Sequence, residues 1–187
     1  MGGSMKLIET PLAGAFVIQP QPHEDERGWF SRVFCARWFR DHGLVDTYLQ
    51  TNHSKSVSAG TIRGLHYQIP PAAEVKLLRC VRGRVLDVIV DVRTGSPSFL
   101  NWFAVELSSQ NRNMIYVPFG FAHGFQALTD DCEVTYQSST EYSPKHERQI
   151  RFNDPRIGIE WNLANAILSP KDASSPLLDD SFTGVDL

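Results

Sequence analysis

The sequence predicts an all-β protein, a double-sheet jelly-roll barrel with a few short helices. Three observations carry that expectation. Short runs rich in β-branched and aromatic residues recur at close spacing, with Gly, Pro, Asn and Asp separating most of them. One run, Val85–Arg93, alternates along its whole length, as a strand with two distinct faces does. Helical periodicity is confined to a few short stretches, so the alternation of strands and helices that builds a parallel sheet is missing. A chain of 187 residues suits one domain with a sizeable core, and its 42% hydrophobic and 21% charged content is that of a soluble globular protein.

Residues 1–4, MGGS, read as an expression scar, and 5–187 as a single jelly-roll domain with a C-terminal tail. Cys35–His42 predicts a short helix ended by Gly43. The stretch IRGLHYQ, Ile62–Gln68, predicts a strand that holds a cation, Arg63, and an imidazole, His66. Regular alternation would send these two to opposite faces, but Gly64 between them marks a bulge or a close backbone approach that can reset it. Arg82–Arg84 is a glycine-centred turn into the next strand, and Thr94–Ser98 is the turn out of it. Within Val85–Arg93, Leu86, Val88, Val90 and Val92 form one apolar face, while the other carries Asp87, Ile89, Asp91 and Arg93. That pattern predicts a half-buried strand with its apolar face toward the core. Trp102–Leu107, Asn113–Val117, Gly124–Leu128, Glu133–Tyr136 and Gln149–Phe152 are further predicted strands, and the tail from Ser169 a second short helix.

Composition narrows the function classes. A net charge of −3 provides no global basic field for a nucleic acid, although a local cluster can still hold a small anion. Cys35, Cys80 and Cys132 are odd in number and widely spaced, with no CxxC pair, which argues against a disulfide framework or a zinc ribbon and for a reducing, cytoplasmic setting. The longest charge-free run, Asn113–Thr129, falls short of the roughly 20 apolar residues that span a bilayer. No secretory signal precedes the body of the chain, and no membrane partner is expected.

Singly, each polar residue in the strand-rich middle has an ordinary explanation. His66 reads as a structural histidine, Lys76 as a snorkelling edge residue, Tyr136 as a core aromatic and His123 as a turn histidine. In company, pointing into one barrel, they read as a base, a cation and an acid. A catalytic metal is not expected: the position two after His66 is Gln68, and no HxH or two-histidine-one-carboxylate spacing occurs.

Seven motifs occur in one order: DERGWF (Asp25–Phe30), QTNHSKS (Gln50–Ser56), IRGLHYQ, VKLLRCVRGRVLDVIVDVR (Val75–Arg93), YVPFGFAHGF (Tyr116–Phe125), DPRIGIEW (Asp154–Trp161) and LSPKDASSPLL (Leu168–Leu178). In this the chain resembles the dTDP-4-dehydrorhamnose 3,5-epimerase family from about Met5 to about Leu178. The resemblance implies a homodimeric, cupin-type jelly roll that needs neither metal nor redox cofactor. Its substrate would be a nucleotide-linked 4-keto-6-deoxy hexose, inverted at C3 and C5 through an enolate. The implied base is His66, oriented by Asp172; Lys76 faces the keto oxygen, and Tyr136 supplies a proton from the opposite side. Asp172 alone would read as a helix-start residue, and only the resemblance lifts it. Arg63 and His123 match positions around the phosphates and sugar, and Arg27 an arginine that reaches the neighbouring subunit's nucleotide. Gln50, Asn52, Glu141 and Lys171 complete the implied substrate-binding set.

The chain departs from the family pattern at three places: Glu141 stands where an aromatic is usual, Arg32 where a glutamate is common, and His23 where an aromatic is frequent. All three fall on the recognition side, while His66, Asp172, Lys76 and Tyr136 are intact. The expected function is therefore epimerisation of such a sugar, with dTDP-4-dehydro-6-deoxyglucose the default. The alternatives are inversion of one carbon on another nucleotide sugar, or a ketoisomerase or binding module on the same fold.

Overall fold

The computed structural model describes residues 4–187; residues 1–3, most of the expected scar, lie outside the described residues. The chain opens with β1 (Met5–Glu9) and β2 (Phe16–Pro20), then a small hairpin of β3 (His23–Asp25) and β4 (Gly28–Phe30). Helix α1 (Ala36–Asp41) follows, and Gly43 ends it with φ at +69°, as the sequence predicts. Strands β5 (Gln50–Ser56), β6 (Ile62–Gln68), β7 (Lys76–Arg82) and β8 (Arg84–Asp91) come next. Strands β9 (Trp102–Ser108), β10 (Met114–Val117), β11 (Phe121–Ala127), β12 (Cys132–Ser138) and β13 (Glu147–Gln149) complete the series before α2 (Pro170–Ala173).

Two antiparallel sheets face one another, with strand orders β1-β2-β10-β7-β12-β5 and β13-β6-β11-β8-β9. Between them lies a core of Leu78, Cys80, Val85, Ile89, Leu107, Ile115, Phe121, Phe125, Cys132 and Val134, which fills one end of the barrel. The alternation of β5 shows how the sequence places its strand: Thr51, His53 and Lys55 are exposed, while Gln50, Asn52, Ser54 and Ser56 turn inward. Helix α1 covers the outer face of the first sheet, with Phe39 packed among Leu77, Met114 and Tyr116.

Strand β8 differs from expectation. It is buried on both faces rather than half-buried, and Asp87 and Asp91 are as inaccessible as the valines around them. The apolar face with Val90 and Val92 looks away from the barrel and is covered by Ile150, Ile157 and Val185 of the C-terminal segment. The face with Val85, Asp87 and Ile89 lines the barrel instead. A strand sandwiched between a barrel and a returning tail has no solvated side, so its carboxylates must find partners. Asp91 finds Arg93 at 2.7 Å and the hydroxyls of Ser96 and Ser98 at 2.5 and 2.6 Å. The predicted Gln149–Phe152 strand is also displaced, to Glu147–Gln149. Ile150 still exchanges two backbone hydrogen bonds with Leu65, but the Arg151 N–H turns away to the Pro176 carbonyl.

Candidate active site

The site grows from the bulge in β6. Opposite β11, His66 pairs with His123 and Arg63 with Phe125, so three residue steps on β6 face two on β11. The extra residue is absorbed at Gly64, where φ is +119°, and the alternation resets. Arg63 and His66 therefore reach the same side and line the same hollow. A side chain at Gly64 would put its Cβ 2.6 Å from the His123 carbonyl oxygen, so β11 crosses closely only because this residue is glycine.

The hollow has two adjoining lobes that share His66, Lys76 and Tyr136. The inner, of about 170 Å³, adds Arg63, His123, Phe125 and Asp172. The outer, of about 370 Å³, adds Gln50, Asn52, Gln68, Glu74, Tyr142 and Glu147. A larger hollow, of about 590 Å³, lies between the C-terminal segment and Tyr67, apart from these groups.

His66 Nε2 stands 2.6 Å from Asp172 Oδ1. The other carboxylate oxygen, Oδ2, accepts from the Ser169 hydroxyl at 2.8 Å. Ser169 also caps α2 by accepting from the Asp172 N–H, so helix start and dyad are built from the same turn. Burial opposes ionisation of Asp172, but His66, Ser169 and the Gly64 backbone N–H outweigh it and hold the carboxyl below its ordinary range. An anionic Asp172 takes the Nε2 proton as its hydrogen bond and leaves Nδ1 an acceptor.

Tyr136 and Lys76 belong to the other sheet, so they approach the hollow from the side opposite His66. Burial, and then the negative charge of Glu74, raise the phenol's pKa above its ordinary value, against a smaller opposing effect of Arg63. The phenol is thus held in its proton-donating form. Lys76 is nearly enclosed and pairs with Glu74 at 3.0 Å. His123 Nε2 lies within hydrogen-bond reach of both oxygens of Asp87, at 3.1 and 3.0 Å. Complete burial raises the Asp87 pKa, although His123 and Lys76 pull the other way.

Of the predicted substrate-binding residues, Gln50, Asn52, Arg63 and His123 line the hollow. The Arg63 guanidinium donates from Nε to the Ser56 hydroxyl at 3.3 Å and from Nη2 to the Lys55 carbonyl at 2.8 Å. Lys171 lies at the rim, paired at 2.7 Å with Glu147, whose other partner is the Tyr142 hydroxyl at 2.9 Å. Glu141 is exposed and its neighbour Tyr142 lines the lobe in its place. Arg27 sits on the β3–β4 hairpin, paired with Asp25 at 2.5 Å and away from the hollow. Sequence reasoning missed Glu74, Asp87 and Glu147 as site residues. Asp87 carried a usable signal, a carboxylate inside an apolar run; Glu74, in a loop before a lysine, carried none. Among the described residues, no group of three or more His, Cys, Asp and Glu side chains could hold a metal ion.

The chain as a whole has counterparts among known proteins. Residues 9–180 match the family model of dTDP-4-dehydrorhamnose 3,5-epimerase. A relative of that name from Sinorhizobium fredii is 43% identical over 183 residues, covering 95% of this chain and 94% of its own length. The crystal structure of a dTDP-6-deoxy-D-glucose-3,5-epimerase from Legionella pneumophila, in complex with dTDP-4-keto-L-rhamnose, superposes with a TM-score of 0.88 at 39% identity, covering 93% of each chain. A 3'-monoepimerase from Streptomyces bikiniensis, in complex with dTDP-quinovose, superposes with a TM-score of 0.85 at 34% identity, covering 91% of this chain and 86% of that one. With a cupin-type jelly roll and a match over nearly its whole length, the chain belongs to the dTDP-4-dehydrorhamnose 3,5-epimerase family.

Proposed function

We propose that this protein inverts C3 and C5 of a dTDP-linked 4-keto-6-deoxy hexose, converting dTDP-4-dehydro-6-deoxyglucose to dTDP-4-dehydrorhamnose. The observation that carries this reading is the His66–Asp172 dyad facing Tyr136 across one hollow, each on a different sheet. Inversion needs a base and an acid on opposite faces of the carbon, and two sheets supply two sides.

The 4-keto group acidifies the C–H bonds on either side of it. His66 Nδ1 takes the proton, the C–H electron pair moves onto the keto oxygen, and the Lys76 ammonium stabilises the resulting enolate. In a water-poor pocket that charge pairing is stronger than in bulk solvent. Asp172 offsets the charge of the imidazolium. The enolate then collapses and takes the Tyr136 proton on its other face; solvent restores the phenol, and His66 releases its proton. Arg63 suits a pyrophosphate, since its planar fork makes paired charged hydrogen bonds, and Tyr142 offers a stacking face at the rim. No metal or redox cofactor enters these steps.

A second reading, inversion of one carbon only, is favoured by the likeness to the 3'-monoepimerase, which shares the fold. A homodimer fits the exposed hairpin, where Trp29 and Phe30 stand 48% and 61% accessible beside Arg27, the residue proposed to reach a neighbouring subunit's nucleotide. A cytoplasmic setting fits the free cysteines and a nucleotide-sugar substrate. No helix among the described residues is long and apolar enough to cross a membrane.

Incubation with dTDP-4-dehydro-6-deoxyglucose in D₂O, followed by proton NMR, tests the proposal. Deuterium should enter C3 and C5 with wild-type protein and neither carbon with His66→Ala. Absence of exchange at both carbons with wild type sinks the reading, and exchange at one carbon selects the single inversion.

A further inference from the structure

Glu74 is a carboxylate that neither the sequence motifs nor the mechanism above employs. It is nearly enclosed, with 12% of its side chain accessible, and it lines the outer lobe with Tyr136. Its backbone is pinned on both sides. The Val75 N–H donates to the Ser139 hydroxyl at 2.9 Å, and the Thr140 hydroxyl donates to the Ala73 carbonyl at 2.8 Å. Its side chain is tethered too, since the buried Ser138 hydroxyl donates to one oxygen while Lys76 lies 3.0 Å from the other. Ser138 is the register partner of Lys76 across β7 and β12, so tether and cation stand side by side.

We propose that Glu74 is a positioning residue of this reaction, a carboxylate tethered by Ser138 that aims the Lys76 ammonium and places a fixed negative charge beside Tyr136. The proposal rests on the epimerase reading. A lysine on its own has several rotamers of similar energy, and a fixed anion selects among them. The cation is then pre-set before the enolate forms, so little reorganisation is needed at that moment. The same carboxylate opposes loss of the phenol proton until carbon takes it. The other charged or titratable groups around that phenol are Arg63, His66 and Tyr67 on β6, His123 on β11, Asp87 on β8, Tyr142 after β12, Glu147 on β13 and Asp172 on α2. Glu74 is the one that also holds Lys76.

The test is Glu74→Gln, which keeps shape and hydrogen-bonding capacity but removes the charge. Two readouts are needed. Phenol titration by ultraviolet difference, taken between Glu74→Gln and Glu74→Gln/Tyr136→Phe, should place the Tyr136 transition at a lower pH than the same pair of measurements gives in the wild-type background. The basic limb of the inversion rate should move down with it, and deuterium exchange on the plateau should fall about tenfold as Lys76 loses its aim. A merely structural Glu74 would lower the rate equally at all pH values and leave the phenol transition unmoved; either that or an unchanged exchange rate overturns the proposal. Should Gln prevent folding, Glu74→Asp decides instead. It keeps the charge but retracts it by one methylene, so the limb should stay in place while exchange falls; full exchange overturns the proposal. The phenol titration needs no substrate, so its outcome is separate from whether the epimerase reading holds.

Discussion

Gly64→Ala tests whether the β6 bulge creates the site. Two costs follow from the structure. The backbone there has φ of +119°, a region closed to residues with a Cβ, and holding such a conformation costs about 1–3 kcal/mol. The new methyl would also stand 2.6 Å from the His123 carbonyl oxygen and 2.7 Å from the Gly124 Cα. Both are backbone atoms, so the strands must part, at a further cost of about 1–3 kcal/mol. The sum, about 2–6 kcal/mol, corresponds to a fall in Tm of about 4–24 °C for a chain of this size. Gly95→Ala is the control: φ there is +71°, but nothing lies within 4 Å of the added Cβ. The expected difference is therefore the contact together with the extra backbone strain of φ +119° over +71°, read by circular dichroism melts of the two variants. Parting β6 from β11 also moves His66 relative to Tyr136, and a displacement of about 1 Å is enough for a loss of about 100-fold in proton exchange. If Gly64→Ala melts no lower than Gly95→Ala and exchanges at the wild-type rate, the bulge is not what aligns Arg63 with His66.

Tyr136→Phe should uncouple exchange from inversion, because His66 and Lys76 can still form the enolate and return a solvent deuteron to the original face. NMR should show deuterium entering while configuration is kept, with inversion down by about 10²–10⁴-fold; equal loss of both would make Tyr136 a sugar-positioning group. Treatment with a strong chelator should leave activity unchanged in a direct assay, and loss restored by a divalent ion would contradict the mechanism. Asp91→Asn should destabilise at neutral pH. The Arg93 and serine hydrogen bonds outweigh burial and hold the Asp91 pKa at about 2, below its unfolded value. A depressed folded pKa contributes stability that is present above about pH 4 and is lost as pH falls through about 2. Urea unfolding should thus show a gap of about 2 kcal/mol between wild type and variant at pH 7, closing near pH 2.

The readability of the site in the sequence varied residue by residue. IRGLHYQ declared itself as a strand because its apolar residues have β propensity, and Gly64 declared the reset because few other residues tolerate what a bulge demands. Strand β12 was equally plain, and with it Tyr136, whereas β11 was read only from Gly124, one residue past His123, and β7 was given no bounds. The inward face of β8 was misjudged for a physical reason. Alternation tells which residues share a face, but not which face is covered by a distant segment, and here the tail around Ile150, Ile157 and Val185 covers the apolar side. Once that side is taken, Asp87 has nowhere to point but the barrel. Asp172 was legible only through resemblance, since Ser-Pro-Lys-Asp reads as a helix start. That reading was true as far as it went, because the Ser169 hydroxyl both caps the helix and bonds the Asp172 carboxylate.

Glu74 marks where such reasoning stops. It stands in an irregular segment, where no period assigns a direction, and a loop glutamate is ordinarily solvated. What draws it inward is the neighbouring strand: Ser138 and Ser139 at the end of β12 bond its side chain and flanking backbone, 64 residues away in sequence. Contacts of that span are made by the closure of the two sheets, not by local pattern. The same closure brings His66 and Asp172, 106 residues apart, to 2.6 Å, and it sets His66 on one sheet and Tyr136 on the other. The proposed chemistry, which demands two faces, is therefore matched by an architecture with two sides, and each side contributes a carboxylate: Asp172 beside the proposed base and Glu74 beside the proposed cation.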